Sequence, residues 1–175
     1  MNDITTYFIS SLNELIGLVN DEMKKGDLIP DYLNIEKKED AAVNTEDLLI
    51  SLIQSFSHLN NLPLNNLYFE LKPEEREGYV LFAYDPIYCL NIAIKIATNE
   101  IVALEDESSY VSFFIASDGE AYLKAWLVLI HLEIKRKKIS PQRLSDSDRQ
   151  DTFYRIQQLL EGKYLPYYKL ILAMD

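Results

Sequence analysis

Apolar residues recur at helical spacing over residues 3–25. Ile4, Phe8, Leu12, Leu15, Ile16 and Val19 form one stripe, and Asn13, Glu14, Asn20 and Asp21 fall off it. The pattern predicts an amphipathic helix that stops at Gly26, with Pro30 marking the break. Residues 26–44 are polar and carry Glu36-Lys37-Lys38-Glu39-Asp40, so a mobile connector is expected there. A second helix is expected to start at Thr45, an N-cap, with Glu46 and Asp47 in its first turn. Leu48, Leu49, Leu52, Ile53, Phe56 and Leu59 give it a buried face, and Asn60, Asn61 and Pro63 end it.

The period then shortens from helical to strand-like. Leu67–Leu71 predicts a first strand, and Lys72-Pro73-Glu74-Glu75-Arg76-Glu77-Gly78 a charged loop. Tyr79–Tyr84 is almost continuously apolar, as a strand covered on both faces would be. Asp85-Pro86 is a turn. Leu90, Ile92, Ile94 and Ile96 alternate with Asn91, Ala93, Lys95 and Ala97, and Thr98-Asn99 reads as a short hairpin connection because Asn tolerates positive φ. Ile101–Leu104 returns, Glu105-Asp106-Glu107-Ser108-Ser109 forms an acidic loop, and Tyr110–Ala116 is the last strand. Five strands joined by short loops predict a largely antiparallel meander.

Ser117-Asp118-Gly119-Glu120 matches a capping box and opens a helix to about Lys137. Tyr122, Leu123, Trp126, Leu127, Leu129 and Ile130 leave it few polar positions, so it must be covered on more than one side. Lys135-Arg136-Lys137-Lys138 closes it, either as a basic patch for a partner or as cations favoured by the helix dipole. A further helix is expected over Asp146–Glu161 behind a Ser145 cap. The aromatic tail Tyr164–Leu172 is expected to pack back on the domain or to form an interface.

The elements together predict an α+β fold. An antiparallel sheet of about five strands (residues 67–116) is flanked by helices on both sides in sequence. The chain reads as a single domain with an N-terminal helical part (1–62), a sheet and capped helix (67–138) and a C-terminal helical extension (139–175). At 175 residues it can bury a core without disulfides, and Cys89 is its one cysteine.

Charge changes the picture. The net charge is -11, which disfavours a phosphate backbone as ligand and points to a basic protein partner. Residues 1–120 hold 22 acids against 7 bases, whereas residues 121–175 hold 6 acids against 10 bases. The acidic front and the mildly basic tail either contact each other or present two different surfaces. The N-terminus lacks a signal-peptide pattern, and the apolar run Ala125–Ile130 is too short to span a membrane, so a cytoplasmic protein is expected.

Candidate chemistry is sparse. His58 and His131 each lie on a predicted helix with no ligand partner at metal spacing, so no metal or cofactor is expected. Cys89 has no nucleophile signature around it and reads as a buried small hydrophobe. There is no glycine-rich phosphate loop. Adjacent acids such as Glu74-Glu75 and Glu105-Asp106-Glu107 stand in polar surroundings, and no catalysis is expected of them. They suit docking of a basic partner. Twelve tyrosines are present, of which Tyr68, Tyr79, Tyr84, Tyr88 and Tyr110 fall in or beside strands and could line one sheet face.

Ile101-Val102-Ala103-Leu104 followed by Phe114-Ile115-Ala116-Ser117, and then by a helix carrying Tyr122, Leu123 and Trp126, resembles the SUKH superfamily of Smi/Knr-like domains. The resemblance covers Leu67 to about His131, and the Leu28–Tyr32 segment adds to it. The chain lacks that family's frequent Asn-Gly-Gly stretch and adds a C-terminal helix. The resemblance implies a non-catalytic immunity protein that binds and neutralises a toxin domain, or a regulatory scaffold of the same type. A small acidic homodimeric secretion chaperone or adaptor is the other reading, so monomer and homodimer both stay open. The expected contact residues are Glu74, Glu75, Glu105, Asp106, Glu107, Tyr68, Tyr79, Tyr84 and Tyr88.

Overall fold

The structure, a computed structural model, describes residues 3–39, 47–60, 62–63, 68–105, 108–139 and 145–174. Its elements run α1 (Asp3–Lys25), α2 (Leu48–Ser55), β1 (Tyr68–Arg76), β2 (Tyr79–Asp85), β3 (Leu90–Lys95), β4 (Ile101–Glu105), β5 (Val111–Ala116), α3 (Gly119–Ile139), α4 (Asp146–Gln157), a 3-10 turn (Gly162–Tyr164) and α5 (Leu165–Ile171). The fold is α+β, and the strands form one antiparallel meander in the order β1-β2-β3-β4-β5.

The stripe on α1 buries Phe8, Leu12, Leu15 and Ile16 as its spacing requires. Residues 28–38 are not a loose connector. Asn13 and Asn20 lie two turns apart on α1, and each side-chain amide pairs with the backbone of this segment. Asn20 takes the N–H and C=O of Tyr32, and Asn13 those of Ile35. Seven helical residues rise about 10 Å, and three extended residues span about the same, so the two clasps share one register. A bridge between Lys37 and Phe56 ties the end of the segment to α2.

Thr45 lies outside the described residues. The N-cap of α2 is Asp47, whose carboxylate accepts the N–H groups of Leu49 and Ile50. The helix also ends earlier than expected, at Ser55, but Leu49, Leu52, Ile53, Phe56 and Leu59 are all buried.

The largest departure lies in β1, which runs through Glu74, Glu75 and Arg76, residues expected in a loop. Only Glu77 and Gly78 turn, with φ of 51° and 85°, the paired positive values of a type I′ hairpin. The register slips between Phe69 and Glu74, which leaves residues 70–73 as a bulge. The β3–β4 connection is longer than a two-residue turn: the N–H of Lys95 bonds to the carbonyl of Glu100, and the loop is 96–99, with Asn99 at φ 60°. Ile96 therefore leaves the strand and is exposed.

The two faces of the sheet differ. Phe69, Ala83, Leu90, Ile92, Ile94, Ile101, Ala103, Ile115 and Ala116 belong to the main core together with residues of every α-helix. α3 buries Tyr122, Leu123, Ala125–Ile130, Leu132 and Ile134 within this one chain, against α1, α2, α4 and β5. Its cap is Asp118, which accepts the N–H of Ala121, while Ser117 donates its hydroxyl to Asp118 and does not cap the backbone. Gly119 follows because a Cβ there would sit 3.0 Å from Leu49 Cγ. Ser145 caps α4 as expected, and the tail buries Tyr164, Tyr167, Tyr168 and Leu172.

On the other face, Leu81, Ala93, Val102 and Leu104 form a second cluster whose members all come from the sheet. Glu77 stands between β1 and β2 and Ser109 just before β5, yet the Ser109 hydroxyl donates to the Glu77 carboxylate. Contact between opposite edges of a five-stranded sheet requires it to curl. Its register shifts in β1–β2, β2–β3 and β4–β5 supply that curl, and a trough closes over the second cluster.

Candidate functional site

Strand pairing places the outer-face residues in three rows. The first row is Tyr68–Tyr84–Asn91–Leu104–Val111, the second Glu74–Leu81–Ala93–Val102–Phe114, and the third Arg76–Tyr79–Lys95. Five strands make the first two rows about 19 Å wide. Tyr68, Tyr79 and Tyr84 thus share a face, as expected. Tyr88 does not join them. It lies in the β2–β3 turn, and its hydroxyl donates to the carbonyl of Leu170 in α5 at 3.1 Å. Tyr110 stands at the rim, 66% exposed, directly before β5. Glu74 lies on the outer face, Glu75 opposite Val80 on the core side at the edge strand, and Glu105 ends β4; all three are exposed. Asp106 and Glu107 lie outside the described residues.

The parts of this face differ. The hairpin contact of Glu77 with Ser109 closes the centre. Phe114 lies under the Lys163 ammonium, 5.6 Å from the ring centroid, and Lys163 pairs with Glu100 at 2.7 Å. Thr98 and Tyr164 also donate to Glu100, which these partners, Lys163 foremost, hold below the usual carboxylate range. Arg76 and Lys95 give a third quadrant positive charge, and one guanidinium nitrogen of Arg76 is buried with no hydrogen-bond partner among the described residues. The fourth quadrant, around Tyr68 and Glu70, is open. A groove of about 460 Å³ runs there, lined by Asn60, Tyr68, Phe69, Glu70 and Lys72.

The cations at the end of α3 are used inside the chain. Lys135 pairs with Asp148, Arg136 with Glu133, Lys137 with Glu22 and Lys138 with Glu14. The basic tail and acidic front therefore meet across the helical layer. Among the described residues no such pair forms with Glu70, Glu74 or Glu75 on β1.

Among the described residues, His58, His131 and Cys89 stand on separate elements. His131 faces the hydroxyls of Tyr7 and Ser11, each 3.4 Å from Nε2, and burial lowers its pKa. Ser11 is 4% exposed in mid-helix, whereas Tyr7 on the same imidazole nitrogen is 54% exposed. His58 lies beyond α2, not on it, with φ 62°. Cys89 is exposed and held at φ 54° in the β2–β3 turn, against the expectation of a buried side chain. The expectation followed its apolar neighbours, but a turn residue of positive φ points away from the core. No cluster of three or more metal-binding side chains occurs among the described residues.

One chemically loaded group escaped the sequence reading. Asp85, read there as a turn residue, is 0% exposed. It accepts the N–H groups of Ile87 and Tyr88 at 3.1 and 3.2 Å and the Tyr167 hydroxyl at 3.2 Å. Burial raises its pKa, and these three bonds oppose the rise only in part. Burial likewise pushes the Tyr122, Tyr167 and Tyr168 phenols up. Sealed from solvent, Asp85 fastens α5 to the end of β2.

The arrangement defines an α+β domain with its helices on one face of a curled sheet and an aromatic, acid-rimmed opening on the other. No family model, curated protein or solved structure matches the chain.

Proposed function

We propose that this domain is a non-catalytic protein-binding module of the immunity type, which neutralises a basic toxin domain by covering it, as the resemblance to the SUKH superfamily implies. One observation carries the reading: every α-helix contributes to the core on one face of the sheet, while the cluster on the other face draws only on strands and leaves Tyr68 and the β1 acids open. Tyrosine beside carboxylates suits a basic surface, because the ring supplies area with few rotors and the acids steer the encounter.

A homodimeric secretion chaperone would place α3 or the tyrosine-rich tail across a two-fold axis. Both are buried within one chain, which favours the immunity-type reading over the chaperone. The test is size-exclusion chromatography with light scattering at low and high salt, alone and with a panel of basic nuclease-type toxin domains. A monomer that forms a salt-sensitive one-to-one complex supports the reading. A stable dimer that ignores the whole panel replaces it with the chaperone.

A further inference from the structure

On the outer face this chain already builds one seat for a cation. Phe114 and Glu100 belong to that face: Phe114 pairs with Val102, and the Lys95–Glu100 backbone bond continues the β3–β4 register. Lys163 arrives from the 3-10 turn, binds Glu100 and lies over two rings, 4.8 Å from the centroid of Tyr164 and 5.6 Å from that of Phe114. An aromatic face, a carboxylate and a cation complete one another, because the ring quadrupole and the carboxylate attract the same charge.

The opposite quadrant repeats the first two parts and lacks the third. Tyr68 is 50% exposed on the outer face, Glu70 follows it two residues on, and Glu74 continues the strand. Tyr68 and Glu70 line the groove of about 460 Å³ at the β1 edge. Lys72 lines it too, but does not come within ion-pair distance of either carboxylate. The bulge at residues 70–73 and Pro73 make this edge a poor template for another strand, so a ligand would engage side chains here and not extend the sheet. The cationic row Arg76–Tyr79–Lys95 at the far end of the trough repels a second positive group, which fixes the site at the Tyr68 end.

We infer that the Tyr68–Glu70–Glu74 quadrant is the seat for a cationic side chain, arginine foremost, carried on an exposed segment of a basic protein partner. Arginine fits better than lysine because a planar guanidinium stacks on the phenol while its edge binds a carboxylate. The inference rests on reading the outer face as an interface, and it specifies where on that face and which chemistry.

Its test needs no cognate partner. A capped tetra-arginine peptide is titrated into the ¹⁵N-labelled chain, with tetra-lysine and tetra-glutamate peptides alongside. Saturable shifts centred on Tyr68, Glu70 and Glu74 are expected with tetra-arginine, several-fold weaker binding with tetra-lysine, and none with tetra-glutamate. Tyr68→Ala and the double change Glu70→Gln/Glu74→Gln should each weaken tetra-arginine at least tenfold, whereas Asp21→Asn on α1 should leave it unchanged. Shifts spread evenly over all surface acids, or affinities indifferent to these changes, overturn the seat. That result would leave the toxin-binding reading intact on another surface. Conversely, an unresponsive toxin panel with a positive peptide titration would sink that reading and keep the seat.

Discussion

Tyr167 packs on the core face of the sheet at 0% exposure, and Tyr68 stands on the other face at 50%. Their side chains are chemically identical. Tyr167 meets Phe113 at a tilt and Tyr168 edge to face, and it spends its hydroxyl on Asp85. Tyr68 is half exposed and lines a groove together with Glu70. A tyrosine whose hydroxyl is satisfied inside the fold contributes to stability, and one left half exposed contributes area to a contact. The two faces of one sheet thus divide the labour, and substitutions on each should be read by different measurements.

The largest effect is expected from Tyr167→Ala, which empties a fully buried ring site and leaves Asp85 without its phenol. Urea denaturation should show a loss of about 3–5 kcal/mol. A loss below about 1 kcal/mol would mean that α5 is not fastened through this residue. Gly119→Ala should cost about 1 kcal/mol, because the new methyl sits 3.0 Å from the branch point of the buried Leu49 side chain, which must give by a few tenths of an ångström.

Asp85→Asn sharpens the comparison through pH. The folded-state pKa of Asp85 lies above its unfolded value, so the folded chain binds this proton more tightly. That contribution to stability is complete below the ordinary carboxylate range and drains as pH rises through the raised folded value. Asparagine keeps an acceptor for the N–H groups of Ile87 and Tyr88 and carries no charge. Stability measured from pH 4 to pH 8 should lose this downward trend in Asp85→Asn. An unchanged slope would place the titrating group elsewhere. At the small end, Tyr68→Ala and Glu74→Gln should each move stability by no more than about 0.5 kcal/mol, since both residues are exposed. A larger loss from either would erase the distinction between the faces.

The sequence was most legible where one period held over many residues. α1 occupies the span its stripe marks, and the order of strands follows from short loops. It was least legible where a strand borders water. Glu74, Glu75 and Arg76 look like a loop because charge is what an edge strand uses against unwanted pairing. Asp47 caps α2, with the expected Thr45 outside the described residues, and at α3 the cap moves from Ser117 to Asp118 because Asp118 takes the N–H of Ala121 while the Ser117 hydroxyl donates to Asp118. Asp85 reads as a turn residue because its turn is local, whereas the Tyr167 hydroxyl that meets it lies 82 residues on. Tyr68, Tyr79 and Tyr84 could be grouped from alternation, but not the curl that brings Glu77 to Ser109 across the sheet.

The clasp between α1 and residues 28–38 has a consequence for how this chain tolerates change in length. Surface connectors ordinarily accept insertions and deletions at little cost. Here Asn13 and Asn20 read the backbone at Ile35 and Tyr32. One residue added or removed between those two points leaves one amide facing the wrong peptide group. Between Tyr32 and Ile35 the connector is expected to vary in side chain far more readily than in number of residues.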